Sequence, residues 1–520
     1  MSRIQRFANP LGLAWLIALT FVAVRFFRFI GNGWFAVRYP YEIDYGEGIV
    51  WQQADMILAG TGYGDITRFP FIVFHYPPIY HLAASATDLL FPGDWLAAGR
   101  LVALVSTLAC ACLCSWLVLL ATRKNDDRAA GAILAAIMFL SAAPVVVWGA
   151  LARVDMLALA LCLGGLVAGI KSFEKPKLII LGAFLFVLAL FTRQTAIFAP
   201  AALFGTMLLI HARLAFVGIG WSTLFGLAGL GLTSVLTDGR FVEHIFLYNV
   251  NRFSFAHFQK EVDQGLLGQP QYWVLTLLSA IFLVWALWRS RRESTIPSVG
   301  ALAGKVCLSY LAFSLISLVL VAKLGSNVNY FVDLCAAAAI LSGMAAARVS
   351  RQLLSGSVFG QYFGVGLIIA VMWSAVSIPA AYVDQARKRP AISALDQQVR
   401  EIRVASKPVL SDDMVVIRKA GKQVVWEPAI FSELAHAGMW DEKLIVQMID
   451  DREFAFIRTI GTKGMPLFDA RYRPAVIEAI DRAYPVTVKH EYFFANHYPD
   501  ARTAAAAVSN AGRSAVAASK

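Results

Sequence analysis

Charge is what this chain has least of. Only 15% of its 520 residues are Asp, Glu, Lys or Arg, while 58% are hydrophobic and the mean hydropathy is +0.62; an ordinary soluble enzyme is about a quarter charged. That deficit excludes a soluble enzyme and leaves a polytopic membrane protein. Cysteine is also scarce. Cys110, Cys112, Cys114, Cys162, Cys307 and Cys335 all lie inside apolar stretches, without zinc-ligand spacing or an aqueous setting, which argues against disulfides and a zinc site and makes cysteine a small apolar filler. A small-residue cleavage site is lacking after the first apolar run, which continues to Ile30 through Arg25 and Arg28. The run is read as a retained helix and not a secretory signal. The formal charge of +12 is then assigned to basic cytoplasmic loops, not to nucleic-acid binding.

Windows of about 20 apolar residues predict about eleven spanning helices, near 11–30, 97–121, 129–148, 153–170, 177–192, 196–215, 216–236, 272–289, 306–322, 331–349 and 362–382. With the N-terminus cytoplasmic, alternate loops carry a basic series: Arg3 and Arg6; Arg123, Lys124 and Arg128; Lys171, Lys175 and Lys177; Arg213; Arg289, Arg291 and Arg292; Arg348 and Arg351. The opposite loops are longer and richer in aromatics. The first of these, 31–95, predicts two short helices lying on the membrane, at 48–59 and 79–90; the others are 238–271 and 324–330. After about residue 382 the charge density becomes ordinary, with strand-like runs at 408–410 and 414–417 and a helix at 430–437. The expected fold class is therefore all-α and polytopic over 1–382. A small extracytoplasmic α/β domain over 383–500 and a disordered tail over 501–520 follow it.

Against this apolar background, residues 41–48 read YEIDYGEG. Glu42, Asp44 and Glu47 form an acidic cluster, two glycines allow a tight turn, and two tyrosines suit a lipid-water boundary. The other polar residues of the apolar part gather at the same predicted face: Arg153 and Asp155, Arg193 and Gln194, His244, Asn249, Arg252 and His257, then Lys323, Asn327, Asn329, Tyr330 and Asp333. Charges near a bilayer are costly unless they pair or line a wet cavity. Carboxylates at Asp44, Glu47 and Asp155 can take a proton or order a hydroxyl, and Arg153, Arg193, Arg252 and Lys323 can hold a phosphate. Amides and aromatic rings suit a sugar, so a lipid-phosphate-sugar would satisfy all three groups. Plainer roles compete. Glu47 can cap the following helix, Asp155 can pair with Arg153 in its own turn, Arg193 and Lys323 can snorkel, His75 and Tyr80 can simply flank the rigid Pro77-Pro78 turn, and Asn327 and Asn329 can satisfy loop backbone. No His-x-x-x-His or carboxylate spacing makes a metal site.

The order of IDYGEG, YPPIYH, RVD, RQTA and GSNVNYFVDL, over residues 41–340, resembles the GT-C superfamily of integral-membrane glycosyltransferases. That superfamily includes protein O-mannosyltransferases, aminoarabinose transferases and family 39 or RgtA/B/C/D-like bacterial proteins. VLSDDMVV and EPAIFSELAHAGMWDEKLI resemble the periplasmic domain of the bacterial subgroup. The resemblance implies an inverting transfer of a sugar from a polyprenyl-phosphate donor to a lipid, glycan or protein acceptor. It places the chain in a bacterial inner membrane with its C-terminal domain periplasmic. Asp44 would then be general base or acceptor orienter, with Glu47 second. Arg193, Lys323, Arg153 and Arg252 would hold the donor phosphate, and Asp155, His75, Tyr80, Gln194, His244, Asn249, Asn327, Asn329 and Tyr330 would line the substrate. A divalent cation is an optional cofactor, since some members of the superfamily use one and others do not. A transporter or lipid flippase is the main alternative, and an envelope assembly protein a third. Transporters, however, show internal repeats and midplane polar residues, whereas here the polar residues sit at helix ends and no repeat is evident.

Overall fold

The computed structural model describes residues 10–90, 92–124, 126–290, 299–354, 358–376 and 381–505. Arg3, Arg6, Arg291, Arg292 and residues 506–520 of the expected tail lie outside these; residues 501–505 are helical.

Among the described residues each apolar window lies on one or two helices; residues 377–380 of the 362–382 window lie outside them. Pro10–Arg38, Trp95–Ala121, Ala212–Leu236 and Val332–Leu354 are long, whereas Leu178–Leu190 and Phe198–Ile210 are short. Five runs among the described residues are long and apolar enough to cross a membrane alone, and six are if the bent pair Phe255–Leu267 and Pro270–Ala286 counts as one. The breaks have local causes. The 129–148 window splits into Arg128–Ser141 and Ala143–Trp148 because Ala142 is extended and Pro144, lacking an N–H, restarts the helix. The boundary expected after residue 215 falls instead at His211, whose Nδ1 accepts the Leu214 N–H at 3.3 Å and caps the next helix.

Helix Trp95–Ala121 fixes the two ends of the bundle, since its 27 residues span about 40 Å. At its N-terminal end Trp95 stacks on Trp51 and its indole donates to Ser85. At the other end Arg128 donates to Leu119 O and Arg348 to Ala121 O. The predicted outer segments meet one another. Glu47–Leu58 and Ile79–Asp88 form the two short helices of the first, Phe74 N–H bonds to His244 of the second, and Lys323 bridges the second to the third through Asn249.

The C-terminal domain carries a mixed sheet of four strands, β1 (Leu410–Ser411), β2 (Ile457–Ile460), β3 (Val486–Lys489) and β4 (Phe494–Tyr498), in the order β1-β2-β4-β3. β1 and β2 are parallel and the other pairs antiparallel. The run expected as a strand at 414–417 is a helix, Met414–Lys419. Its residues favour strands, but Asp413 caps it by accepting the Val416 N–H at 3.3 Å, and the N-cap decides. The helix expected at 430–437 is Pro428–His436.

This domain is built into the outer loop. Ile66, Phe71 and Val73 share its core with Trp426, Phe431, Trp440 and Ile457, and Phe71 N–H bonds to Val425 O at 2.8 Å. Arg389 joins Glu42 to Asp413, and Arg418 joins Asp55 and Gln52. Gly48 is required here: a Cβ on it would lie 2.6 Å from the Met414 and Val415 backbone.

Candidate active site

The site starts from a pair that never meets water. Arg100, one turn into Trp95–Ala121, and Glu47 at the start of Glu47–Leu58 are both 0% exposed. Arg100 spends all five N–H groups: Nε and Nη2 on the two Glu47 oxygens at 2.8 and 2.6 Å, and the rest on the carbonyls of Ala36, Tyr39 and Tyr41. Glu47 in turn accepts the backbone N–H groups of Ile43, Asp44 and Ala152. Burial pushes its carboxyl up, but Arg100 and these donors outweigh burial and hold it below its ordinary value. The sequence offered Glu47 as a second catalytic carboxylate or a cap for the helix that follows it. Its place is behind the loop, where it pins the residues beside Asp44 and Arg153.

What it pins is a crossed pair of ion pairs. Arg153 Nη1 lies 3.4 Å from Asp44 Oδ2, and Arg193 Nη1 lies 3.3 Å from Asp155 Oδ1. The expected pairing of Asp155 with Arg153 does not form, because Asp155 opens a helix and its oxygens are taken by Trp148 Nε1 at 2.6 Å, Asn329 Nδ2 at 2.8 Å and Arg193. Asp44 keeps 20% of its side chain exposed and Arg153 16%, whereas Asp155 has none. Burial raises the Asp44 carboxyl above its ordinary value, with Arg153 pulling it back. Gly46 permits the approach: a Cβ there would lie 1.4 Å from Arg153 Nη1.

Aromatic rings surround the guanidinium groups. Arg153 faces Tyr76 and Trp148 and donates to Tyr76 Oη at 3.3 Å, and Arg193 stacks on Tyr330 at 4.7 Å. Gln194 donates to His75 O at 2.8 Å. Among the described residues several buried polar atoms here have no partner: Tyr45 Oη, His75 Nε2, Arg153 Nε, Gln194 Oε1, Thr195 Oγ1 and Asn329 Oδ1. Such atoms are costly to bury unpaired, and a hydroxylated ligand offers partners for them. Burial, then His244, Lys323 and Arg153, push the His75 imidazole down to about 3, so it stays neutral.

Not every expected residue joins this cluster. Arg252 is half exposed and bonds to Glu433 at 2.8 Å. His244 is a clamp, with Nδ1 accepting Phe74 N–H and Nε2 donating to Gly64 O. Tyr80 is fully buried and donates to Gly99 O, and Asn327 caps the turn at Val328. Lys323 bonds to Asn249, close enough to His75 for its charge to be felt there. Among the described residues no three His, Cys, Asp or Glu side chains cluster as they would around a metal ion. Asp44 and Glu47 are each engaged by a guanidinium.

Sequence reasoning missed Arg100, Tyr76 and Glu427. A lone arginine inside LAAGRLVALV and the tyrosine between His75 and Pro77 were signals for the first two. Glu427, from the C-terminal domain, opens the run EPAIFSELAHAGMWDEKLI, whose resemblance marked the domain but no site residue. It is 6% exposed, and its charge is felt by both Arg153 and Tyr45.

No protein-family model matches the chain, and no curated protein does. Solved structures do. ArnT from Cupriavidus metallidurans, bound to undecaprenyl phosphate, aligns at TM-score 0.57 and 15% identity over 94% of this chain and 98% of its own. Its apo state aligns at 0.59 and 14%, over 95% and 99%. The Archaeoglobus fulgidus oligosaccharyltransferase aligns at 0.58 and 9%, over 91% and 72%. At such identities the likeness is one of architecture, and by its architecture this chain has the GT-C fold.

Proposed function

We propose that this protein is an inverting glycosyltransferase that moves a sugar from a polyprenyl-phosphate donor to an acceptor on the outer face of a bacterial inner membrane. In this reading it has about eleven spans, a cytoplasmic N-terminus and a periplasmic C-terminal domain. One observation carries it: Asp44–Arg153 and Asp155–Arg193 stand crossed among Tyr76, Trp148 and Tyr330, with unpaired polar atoms around them. That the ArnT structure of the same fold holds undecaprenyl phosphate supports a lipid-linked donor.

In this reading the donor phosphate meets Arg193 and Arg153, with Lys323 nearby, and the sugar lies against the rings. Asp44 orients the acceptor hydroxyl or takes its proton. The arginines stabilise charge on the departing phosphate, the kind of preorganised electrostatics that contributes most to many enzymes. Purified protein given a radiolabelled polyprenyl-phosphate sugar tests the reading. Release of sugar at equal rates by wild type and Asp44→Ala would refute the catalytic assignment.

A further inference from the structure

We propose that Glu427, supplied by the C-terminal domain, is the group that receives the acceptor's proton, so that the site is complete only when that domain is docked. The proposal rests on the transferase reading above and names the base within it.

The position of Glu427 is set by the fold. It follows Trp426, which bridges to Phe71, and Phe71 N–H bonds to Val425 O at 2.8 Å. That contact ties the start of helix Pro428–His436 to the loop that carries His75 and Tyr76. Glu427 stands at the N-cap of that helix, yet its side chain caps nothing. It is 6% exposed, and among the described residues its carboxylate makes no hydrogen bond or ion pair. Its carboxylate interacts electrostatically with Arg153 from the membrane part, Arg471 from its own domain and Tyr45 from the first loop. Arg471 is itself held by Asp412 at 3.1 Å and lies over the Tyr45 ring at 3.9 Å. A buried, unpartnered carboxylate is costly, and the charge of this one is felt by Arg153, the guanidinium paired with Asp44.

The two candidate bases differ in what compensates them. Asp44 is engaged by Arg153, so it is suited to orient an acceptor hydroxyl. Glu427 is not directly engaged, and burial raises its carboxyl to about 7 in spite of Arg153 and Arg471, where a general base works well near neutral pH. In the step, the acceptor O–H breaks and its proton passes to the Glu427 carboxylate. The acceptor oxygen bonds to the anomeric carbon, and the bond from that carbon to the phosphate oxygen breaks with its electron pair left on the phosphate.

The test uses membranes from a strain deleted for this chain, with donor lipid followed by mass spectrometry of lipid extracts. Such membranes should hold a polyprenyl-phosphate sugar that full-length wild type clears, faster as pH rises through about 7. Glu427→Gln should clear it about 100-fold more slowly and lose that pH dependence, and Glu427→Asp should restore part of the rate. Purified Glu427→Gln should bind undecaprenyl phosphate within twofold of wild type. Clearance by Glu427→Gln at the wild-type rate and pH profile overturns the proposal, and so does loss of undecaprenyl phosphate binding, because the residue would then be holding donor or fold. Failure of the deletion to accumulate any polyprenyl-phosphate sugar overturns the transferase reading itself.

Discussion

Arg153 Nη1 forms an ion pair with Asp44 Oδ2 at 3.4 Å and not with Asp155, two residues along its own chain. The partner comes from the first outer loop because Glu47, braced by Arg100, accepts the backbone N–H groups of both Asp44 and Ala152. One buried carboxylate thereby sets the relative position of a carboxylate and a guanidinium that both stay partly exposed. The following expectations come from this arrangement.

Asp44→Asn should abolish most transfer and leave the fold intact. Loss of a general base or orienting carboxylate costs about 10²–10⁴ in rate, while a partly exposed ion pair contributes about 1 kcal/mol or less. Transfer from a radiolabelled donor and thermal melting in detergent measure the two separately, and a large drop in melting temperature would contradict the assignment.

Arg100→Ala should do the reverse. Removing it leaves Glu47 buried without its partner, and breaking such a pair costs about 3–5 kcal/mol. The variant should melt far below wild type and lose activity with it. Arg100→Ala melting close to wild type would show that Glu47 is not the brace described here.

Arg193→Ala and Arg252→Ala should separate two arginines that the sequence offered for the donor phosphate, Arg193 among the first and Arg252 after it. Arg193 is buried against Asp155 and Tyr330, whereas the Arg252 side chain is 52% exposed and tied to Glu433. Undecaprenyl phosphate binding by the purified protein should fall at least tenfold in the first, since a charge-assisted phosphate contact is worth about 1.5–3 kcal/mol. It should change less than twofold in the second. The opposite order would move the phosphate site to the rim.

The raised Glu427 carboxyl makes stability depend on pH. The folded state binds this proton more tightly than the unfolded chain, whose value is near 4.5 against about 7 folded. Its contribution is therefore complete below pH 4.5 and is lost as pH rises through 7, a change on the order of 3 kcal/mol. Glu427→Gln should gain on wild type in melting temperature between pH 5 and pH 8. A difference that stays constant over that range would mean the carboxyl titrates normally.

Much of this was legible without coordinates, and the reason is the solvent. A bilayer enforces long apolar helices, so their windows show in composition, and it penalises charge, so Asp44, Arg153, Asp155, Arg193 and Lys323 stood out one by one. The two short helices of the first outer loop were equally visible between their glycines and prolines. Local competition was not. The run at Met414 reads as strand until Asp413 caps it, and the break at His211 depends on one imidazole nitrogen.

By itself, then, the amino-acid order determined that the protein is helical and membrane-embedded, and which ionisable residues are too costly to be there without purpose. Only the tertiary structure decided who pairs with whom. It buried Glu47 against Arg100 and set Arg153 against Asp44. It also brought the charge of Glu427, from the C-terminal domain, within reach of Arg153. Pairing depends on direction and distance between segments far apart in the chain, and a cost of burial read along a sequence carries neither.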